Sequence, residues 1–370
     1  MTAPLPLFAF DRLPPVATAR VVEGLDSRLD AVADRAAEGH RFLRYGWFAA
    51  AVQAYRGHPR TLVVEQEGVS VLALPFTAVG PPWLRGAGVP GSYWPFRGFP
   101  LALGAGDLAL RAALDTLRSH ARALRIGPVE EGDAAVEPLL AAAREQGWAV
   151  LGRAVGRAWH QDLTDPAWPR ASTLKKNRFH EKHLAGHGAL EWRFLEAADW
   201  PAAFDLLAAV ERESWIAADT DGRDAKFTTA VHGAFWRAAA ADPVLAQAFR
   251  AALLLIDGRP AAFSFDLDVG THRYAIANSY RPDIARHSPG RLLHYRNLVR
   301  AREGGIRTVD WGMGDSGYKQ ALGAVAGPLF HDWLLLAPGW PARLGRIAAA
   351  VQSLGGVSAR RSPLRRSGPG

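Results

Sequence analysis

Cysteine is absent from this 370-residue chain. That excludes disulfides, thiolate metal sites and a covalent cysteine nucleophile. Long hydrophobic runs are also missing, since no stretch approaches the roughly 18 apolar residues a membrane-spanning helix needs. Residues Met1 to Phe10 lack a positive n-region, so no secretory signal is expected, and a cytoplasmic location fits. Lysine is scarce, five against 39 arginines, so each lysine invites an explanation. Acidic residues stop at Asp332, after which Arg343, Arg346, Arg360, Arg361, Arg365 and Arg366 follow. Without these six arginines the net charge of +8 falls to +2, so the body of the chain carries no nucleic-acid signature in its charge. The tail from Ser358 is rich in Ser, Arg, Pro and Gly and reads as a disordered basic segment, with contact to RNA or an anionic membrane as the sharper alternative.

What remains is an ordinary globular composition, 49% hydrophobic with a mean hydropathy near zero, in a chain long enough for two domains. The pattern of elements repeats. In the first half a strand at Arg20–Gly24 precedes helical patterns through Arg35 and from Phe42 to Tyr55. A hairpin then turns at Glu67-Gly68, with strands Thr61–Val64 and Val69–Phe76. A helix capped by Asp107 runs to about Leu124, followed by a strand at Leu124–Ile126, a helix at Val136–Gln146 and a strand pair ending at Leu163. The second half restates this plan. Its pieces are a strand at Glu191–Leu195, helices at Trp200–Ser214 and Phe227–Ala240, and a hairpin turning at Asp257-Gly258-Arg259-Pro260. A third strand at His272–Ser279, a helix at Arg291–Glu303 stopped by Gly304-Gly305, and strands at Thr308–Asp310 and Phe330–Leu336 follow. The shared order suggests duplication of one α/β unit. Between the halves, Ser172–Leu184 is a cationic helical stretch holding three of the five lysines.

The loop before the second-half helix, His287-Ser288-Pro289-Gly290-Arg291, carries chemistry. A helix N-terminus exposes unpaired N–H groups and about half a positive charge. Pro289 needs no N–H there, Gly290 lets an anion approach the backbone, and Arg291 adds a cation. No acidic residue lies between Ile284 and Glu303 to oppose a phosphate. The plain alternative is a turn that merely starts a helix. At the equivalent place the first half has Gly104-Ala105-Gly106-Asp107, which puts a carboxylate where a phosphate would sit. Like charges ~4 Å apart repel by roughly 4 kcal/mol at an effective dielectric of 20, so the first copy reads as degenerate.

Taken together, the Asp257-Gly258-Arg259-Pro260-Ala261-Ala262 hairpin, Tyr280, Arg286-His287-Ser288-Pro289-Gly290 before a Leu-Leu helix, and Asp310-Trp311-Gly312 followed by Tyr318-Lys319 resemble the GNAT acyltransferase superfamily. Within it they resemble the CelD-like branch, whose tandem architecture is shared with the FemAB aminoacyl transferases. The resemblance covers Ala158 to Leu336, and the first half only through element order. It implies an α/β (α+β) fold of two tandem GNAT-like domains, each a mixed, mostly antiparallel sheet flanked by helices. The expected divisions are 1–165 (degenerate), 166–340 (acyl-CoA-binding and catalytic) and 341–370 (basic tail).

The implied reaction is acyl transfer from acyl-CoA by direct attack of an amine acceptor: a small molecule, sugar or polymer precursor, with exopolysaccharide or envelope synthesis as context. Ser288, Gly290 and Arg291 match the position that grips the CoA pyrophosphate, and Lys319 is expected to contact the carrier. Acid/base candidates are Asp310, Asp315, Tyr318 and Glu211. Trp215, Asn278, Tyr280 and His287 are candidate substrate contacts. Bland roles stand beside each: Asp310 as a buried acceptor, Tyr318 as a rim residue, Lys319 as a surface charge and Trp215 as core. The histidine pairs His180/His183 and His183/His187 sit among lysines and arginines, so no metal site is expected. The alternatives are a FemAB-like transferase using aminoacyl-tRNA, held by the basic segment Lys175–His183, and a non-catalytic binding module of the same fold.

Overall fold

The computed structural model describes residues 16–91, 96–214, 216, 225–314 and 317–347. The first half runs β1 (Ala17–Glu23), α1 (Arg28–Ala33), α2 (Tyr45–Tyr55), β2 (Pro59–Gln66), β3 (Val69–Val79), β4 (Gly86–Gly88), α3 (Asp107–His120), β5 (Ala123–Glu130), α4 (Val136–Glu145) and β6 (Ala149–Asp162). After the linking helix α5 (Ala171–Leu184) the order returns as β7 (Leu190–Leu195), α6 (Ala203–Arg212), α7 (Ala230–Ala239), α8 (Pro243–Ala248), β8 (Phe249–Ile256), β9 (Arg259–Val269), β10 (His272–Tyr280), α9 (Pro289–Glu303), β11 (Thr308–Met313), α10 (Tyr318–Leu322) and β12 (Val325–Leu336). The two hairpins even share turn chemistry. Glu67-Gly68 and Asp257-Gly258 have φ of 53° and 77°, and 50° and 75°, the doubly left-handed form that matches strand twist.

Among the described residues the strands form one twelve-stranded sheet, ordered β1-β2-β3-β4-β5-β12-β6-β11-β10-β9-β8-β7. It is antiparallel except for two pairs, β4 with β5 and β10 with β11, each bridged by a crossover helix, α3 or α9. The last strands of the halves are exchanged: β12 lies against β5, and β6 lies against β11. The exchange makes the sheet continuous, and hydrophobic packing follows it across the halves. Trp47 of α2 packs edge-on against Phe235 and Trp236 of α7, at 4.9 and 5.9 Å between ring centroids.

Three sequence expectations need correction. The strand pair expected before Leu163 is the single long strand β6, because both β12 and β11 pair along it. The first-half helix stops at His120 instead of running to Leu124. Of the tail expected at 341–370, residues 341–347 are helical, Ala342 is buried and Arg346 donates to the carbonyl of Gly147 at 3.0 Å. The segment from Ser358 lies outside the described residues.

Candidate active site

The two parallel strands of the second half open a wedge. β10 and β11 pair only from His272 opposite Thr308 to Tyr274 opposite Asp310, and β10 then continues alone with respect to β11 to Tyr280. At the mouth of the wedge, Ser288 precedes α9 in a left-handed conformation (φ 52°, ψ 48°), and its side chain does not cap the helix. A non-glycine residue there is strained, and such strain persists only where surrounding structure enforces it. Among the described residues the N–H groups of Gly290 and Arg291 have no hydrogen-bond partner, and the Arg291 Nε is shielded from water without one. Here the wedge and helix enclose a cavity of about 450 Å³, lined by Asn278, Tyr280, Ser288, Gly290, Arg291 and His294, with Tyr318 on its rim and, among the described residues, no carboxylate in its wall. A Cβ at Gly290 would lie 3.2 Å from the Tyr280 ring, which would have to give by a few tenths of an ångström. A second, polar hollow of about 220 Å³ adjoins it across Arg291 and brings Arg170 and Lys176 within the same basic surface.

The inner wall is aromatic. His294 is buried, with its Nε2 unpartnered, 5.0 Å edge-on from Trp311 and stacked 6.2 Å from Tyr318. Burial, with Arg273 and Lys319 nearby, pushes the imidazole down to about 4, so it is neutral and able to hydrogen-bond a ligand.

Alternation along β11 sends Asp310 to the sheet face opposite Trp311. There it sits at the last paired register of the wedge, 3% exposed, accepting the Gly312 N–H at 2.7 Å. His160 of β6 lies 3.9 Å from it and hydrogen-bonds Glu130 of β5 at 2.6 Å. Burial pushes the Asp310 carboxyl up to about 7, Glu130 adds to the rise, and His160 opposes it. Hydrogen bonding to Glu130 in turn raises His160. A carboxylate that titrates near neutrality is suited to general-base work. These three residues also form the one group among the described residues whose ligand atoms, all within 4.8 Å of one another, are close enough to share a cation. Glu130 and His160 were not singled out in the sequence. They reach Asp310 only through the strand exchange, which leaves no local signal.

Other candidates are placed away from this chemistry. Glu211 is 1% exposed and spends its carboxylate on the N–H groups of Lys226, Phe227 and Thr228 and the Thr228 hydroxyl, so it braces a chain segment. Lys319 is buried, and its ammonium donates to the carbonyls of Trp311, Gly312 and Met313; it clamps the end of β11 instead of facing a carrier. That role explains a lysine where the chain otherwise prefers arginine, since three converging carbonyls suit a compact ammonium. His287 stands outside the cavity wall, beside Arg286 and the rings of His183 and His187. Trp215 and Asp315 lie outside the described residues.

Residues 171–320 match the family model described as an acetyltransferase (GNAT) domain, and the chain is an acyltransferase carrying that GNAT domain in its second half. No curated protein sequence matches it. Among solved structures, FemX is similar at 12% identity, with 85% of this chain and 96% of that chain covered and a TM-score of 0.55. L-PGS from Bacillus licheniformis is similar at 13% identity, covering 90% and 98%, with a TM-score of 0.51. A conserved protein of unknown function from Bacteroides thetaiotaomicron gives 13% identity, 86% and 100% coverage and a TM-score of 0.57. At such identities these neighbours establish a shared fold.

Proposed function

We propose that the chain transfers an acyl group from acyl-CoA to an amine acceptor, with the second half (166–340) as the catalytic unit and the first (1–165) as a copy that completes the sheet. The observation that carries this reading is the cavity at the N-terminus of α9, where among the described residues no carboxylate lines the wall and the N–H groups of Gly290 and Arg291 and the Arg291 Nε have no partner. A pyrophosphate there would meet two N–H donors and a cation, and the pantetheine arm would follow the wedge past Tyr280, Asn278 and His294. The first-half equivalent is already committed: Asp107 stands in the first turn of α3, and the Gly106 N–H donates to Gln66 at 3.2 Å.

In the proposed step the acceptor amine enters from the Asp310 face and its nitrogen attacks the thioester carbonyl carbon through the open end of the wedge. Asp310 takes the amine proton and shares it with His160 and Glu130. The C–S bond breaks, and the Tyr318 hydroxyl protonates the departing thiolate, regaining its proton from solvent. With no cysteine in the chain, no acyl-enzyme thioester intervenes.

A second reading, aminoacyl transfer from aminoacyl-tRNA, is favoured by Phe179. Its ring is 61% exposed on α5 among Lys175, Lys176, Arg178 and Lys182, an aromatic platform within a basic helix that suits base stacking. Calorimetric titration of the full chain with CoA and acetyl-CoA, repeated on Gly290→Asp, decides between them. Saturable binding lost in the variant supports the first reading. No binding at millimolar CoA, with salt-sensitive retention of tRNA, supports the second.

A further inference from the structure

The first half has a wedge of its own, built to the same register but with opposite charge. β4 and β5 pair in parallel over three positions and separate after Gly88 opposite Arg125, as β10 and β11 separate after Tyr274 opposite Asp310. Arg125 therefore holds the position of the second half's carboxylate. Beyond it lies a cavity of about 340 Å³, bordered by α2, α7 and the strands, whose polar lining is Tyr55, Arg56, Thr77, Arg97, Arg125 and His232. Among the described residues no carboxylate lines it. Asp332 engages Arg125 from outside, at 2.8 Å, and its charge, with Tyr55, offsets part of what disfavours the charged form of Arg97.

Two details show strain and unsatisfied charge concentrated at this cavity. Among the described residues the Arg97 guanidinium has no hydrogen-bond or ion-pair partner, and its Nε is sealed from water. Burial and the adjacent Arg125 both disfavour its charged form. Arg56 adopts φ 62° and ψ 160°, a region essentially reserved for glycine. A bulky cation held in that conformation belongs to the same cavity lining as the unpartnered Arg97 Nε.

We propose that the first-half wedge binds a small molecule through an anionic group, phosphate or carboxylate, held between Arg97 and Arg56 with the Tyr55–His232 pair, hydrogen-bonded at 2.9 Å, alongside. The site is separate from the α9 cavity and stands whether or not that cavity takes CoA.

The test uses the full chain carrying Gly290→Asp, so that anion binding at α9 is suppressed, titrated calorimetrically at low ionic strength with pyrophosphate and separately with citrate. One saturable site is expected. Arg97→Gln added to this background should weaken it at least about tenfold, the loss of one charge-assisted hydrogen bond. Arg56→Gly should also weaken it while raising the melting temperature, an outcome that misfolding cannot produce. Tight pyrophosphate binding identifies a phosphate-bearing ligand, and citrate binding without pyrophosphate a carboxylate-bearing one. Absence of saturable binding for both, or affinity unchanged by Arg97→Gln, overturns the proposal.

Discussion

Replacing Asp310 with Asn preserves shape and the Gly312 hydrogen bond while removing the titrating carboxyl, and it separates a base from a buried acceptor. The folded carboxyl titrates near 7, whereas an exposed aspartate titrates near 3.8. Between these values the native state holds a proton that the unfolded chain has released, so stability falls as pH rises through that window. The ionised carboxylate opposes folding above pH 7 by up to about 4 kcal/mol, with the opposing effect of His160 already included. Asp310→Asn should therefore leave stability near wild type at pH 4 and raise it by about 1–3 kcal/mol at pH 8, read from urea unfolding. Turnover should move the other way, down about 10²- to 10⁴-fold for any amine that supports it. Released CoA thiol can be followed directly with a thiol reagent, since the protein contributes no cysteine. The wild-type rate should climb with pH through about 7 and the residual rate of the variant should not. A variant equally active at pH 7.5, or one whose stability follows wild type at both pH values, would refute the role of Asp310.

His160→Asn removes the cation that holds Asp310 down, so the alkaline-rising limb of the rate profile should shift to higher pH. Glu211→Gln sets amide hydrogens against N–H donors and should cost about 2–4 kcal/mol in denaturant unfolding, with activity per folded molecule retained. Lys319→Met leaves three carbonyls at the end of β11 without their donor; a loss of about 3 kcal/mol and a weaker CoA site are expected by melting and calorimetry. Ser288→Gly should relax the left-handed residue and stabilise the fold by about 1 kcal/mol while lowering CoA affinity through loss of the hydroxyl.

The local parts of this structure were legible because local chemistry produces them. Asp257-Gly258 and Glu67-Gly68 specify their turns, Gly304-Gly305 stops α9, and Ser288-Pro289-Gly290-Arg291 marks the helix start that borders the cavity. What escaped was non-local. β6 and β12 are unusually long strands of 14 and 12 residues, but nothing in either sequence says that it pairs with the other half. Glu130 and His160 were hidden by that exchange. Lys319 and Glu211 were misassigned for a related reason, because sequence shows a charge but not the carbonyls or N–H groups that absorb it. The runs β1–β6 and β7–β12 repeat one plan, yet the sheet and the aromatic packing of Trp47 on Phe235 join the two.

The central claim is that the backbone at the start of α9 holds the carrier's phosphates. A crystal structure of the full chain with CoA tests it most directly. Pyrophosphate oxygens are expected within hydrogen-bonding distance of the Gly290 and Arg291 N–H groups, with the pantetheine arm lying between β10 and β11 and its sulfur toward Tyr318. Phosphates seated instead at Gly106-Asp107 of the first half, or CoA bound outside the β10–β11 wedge, would contradict it.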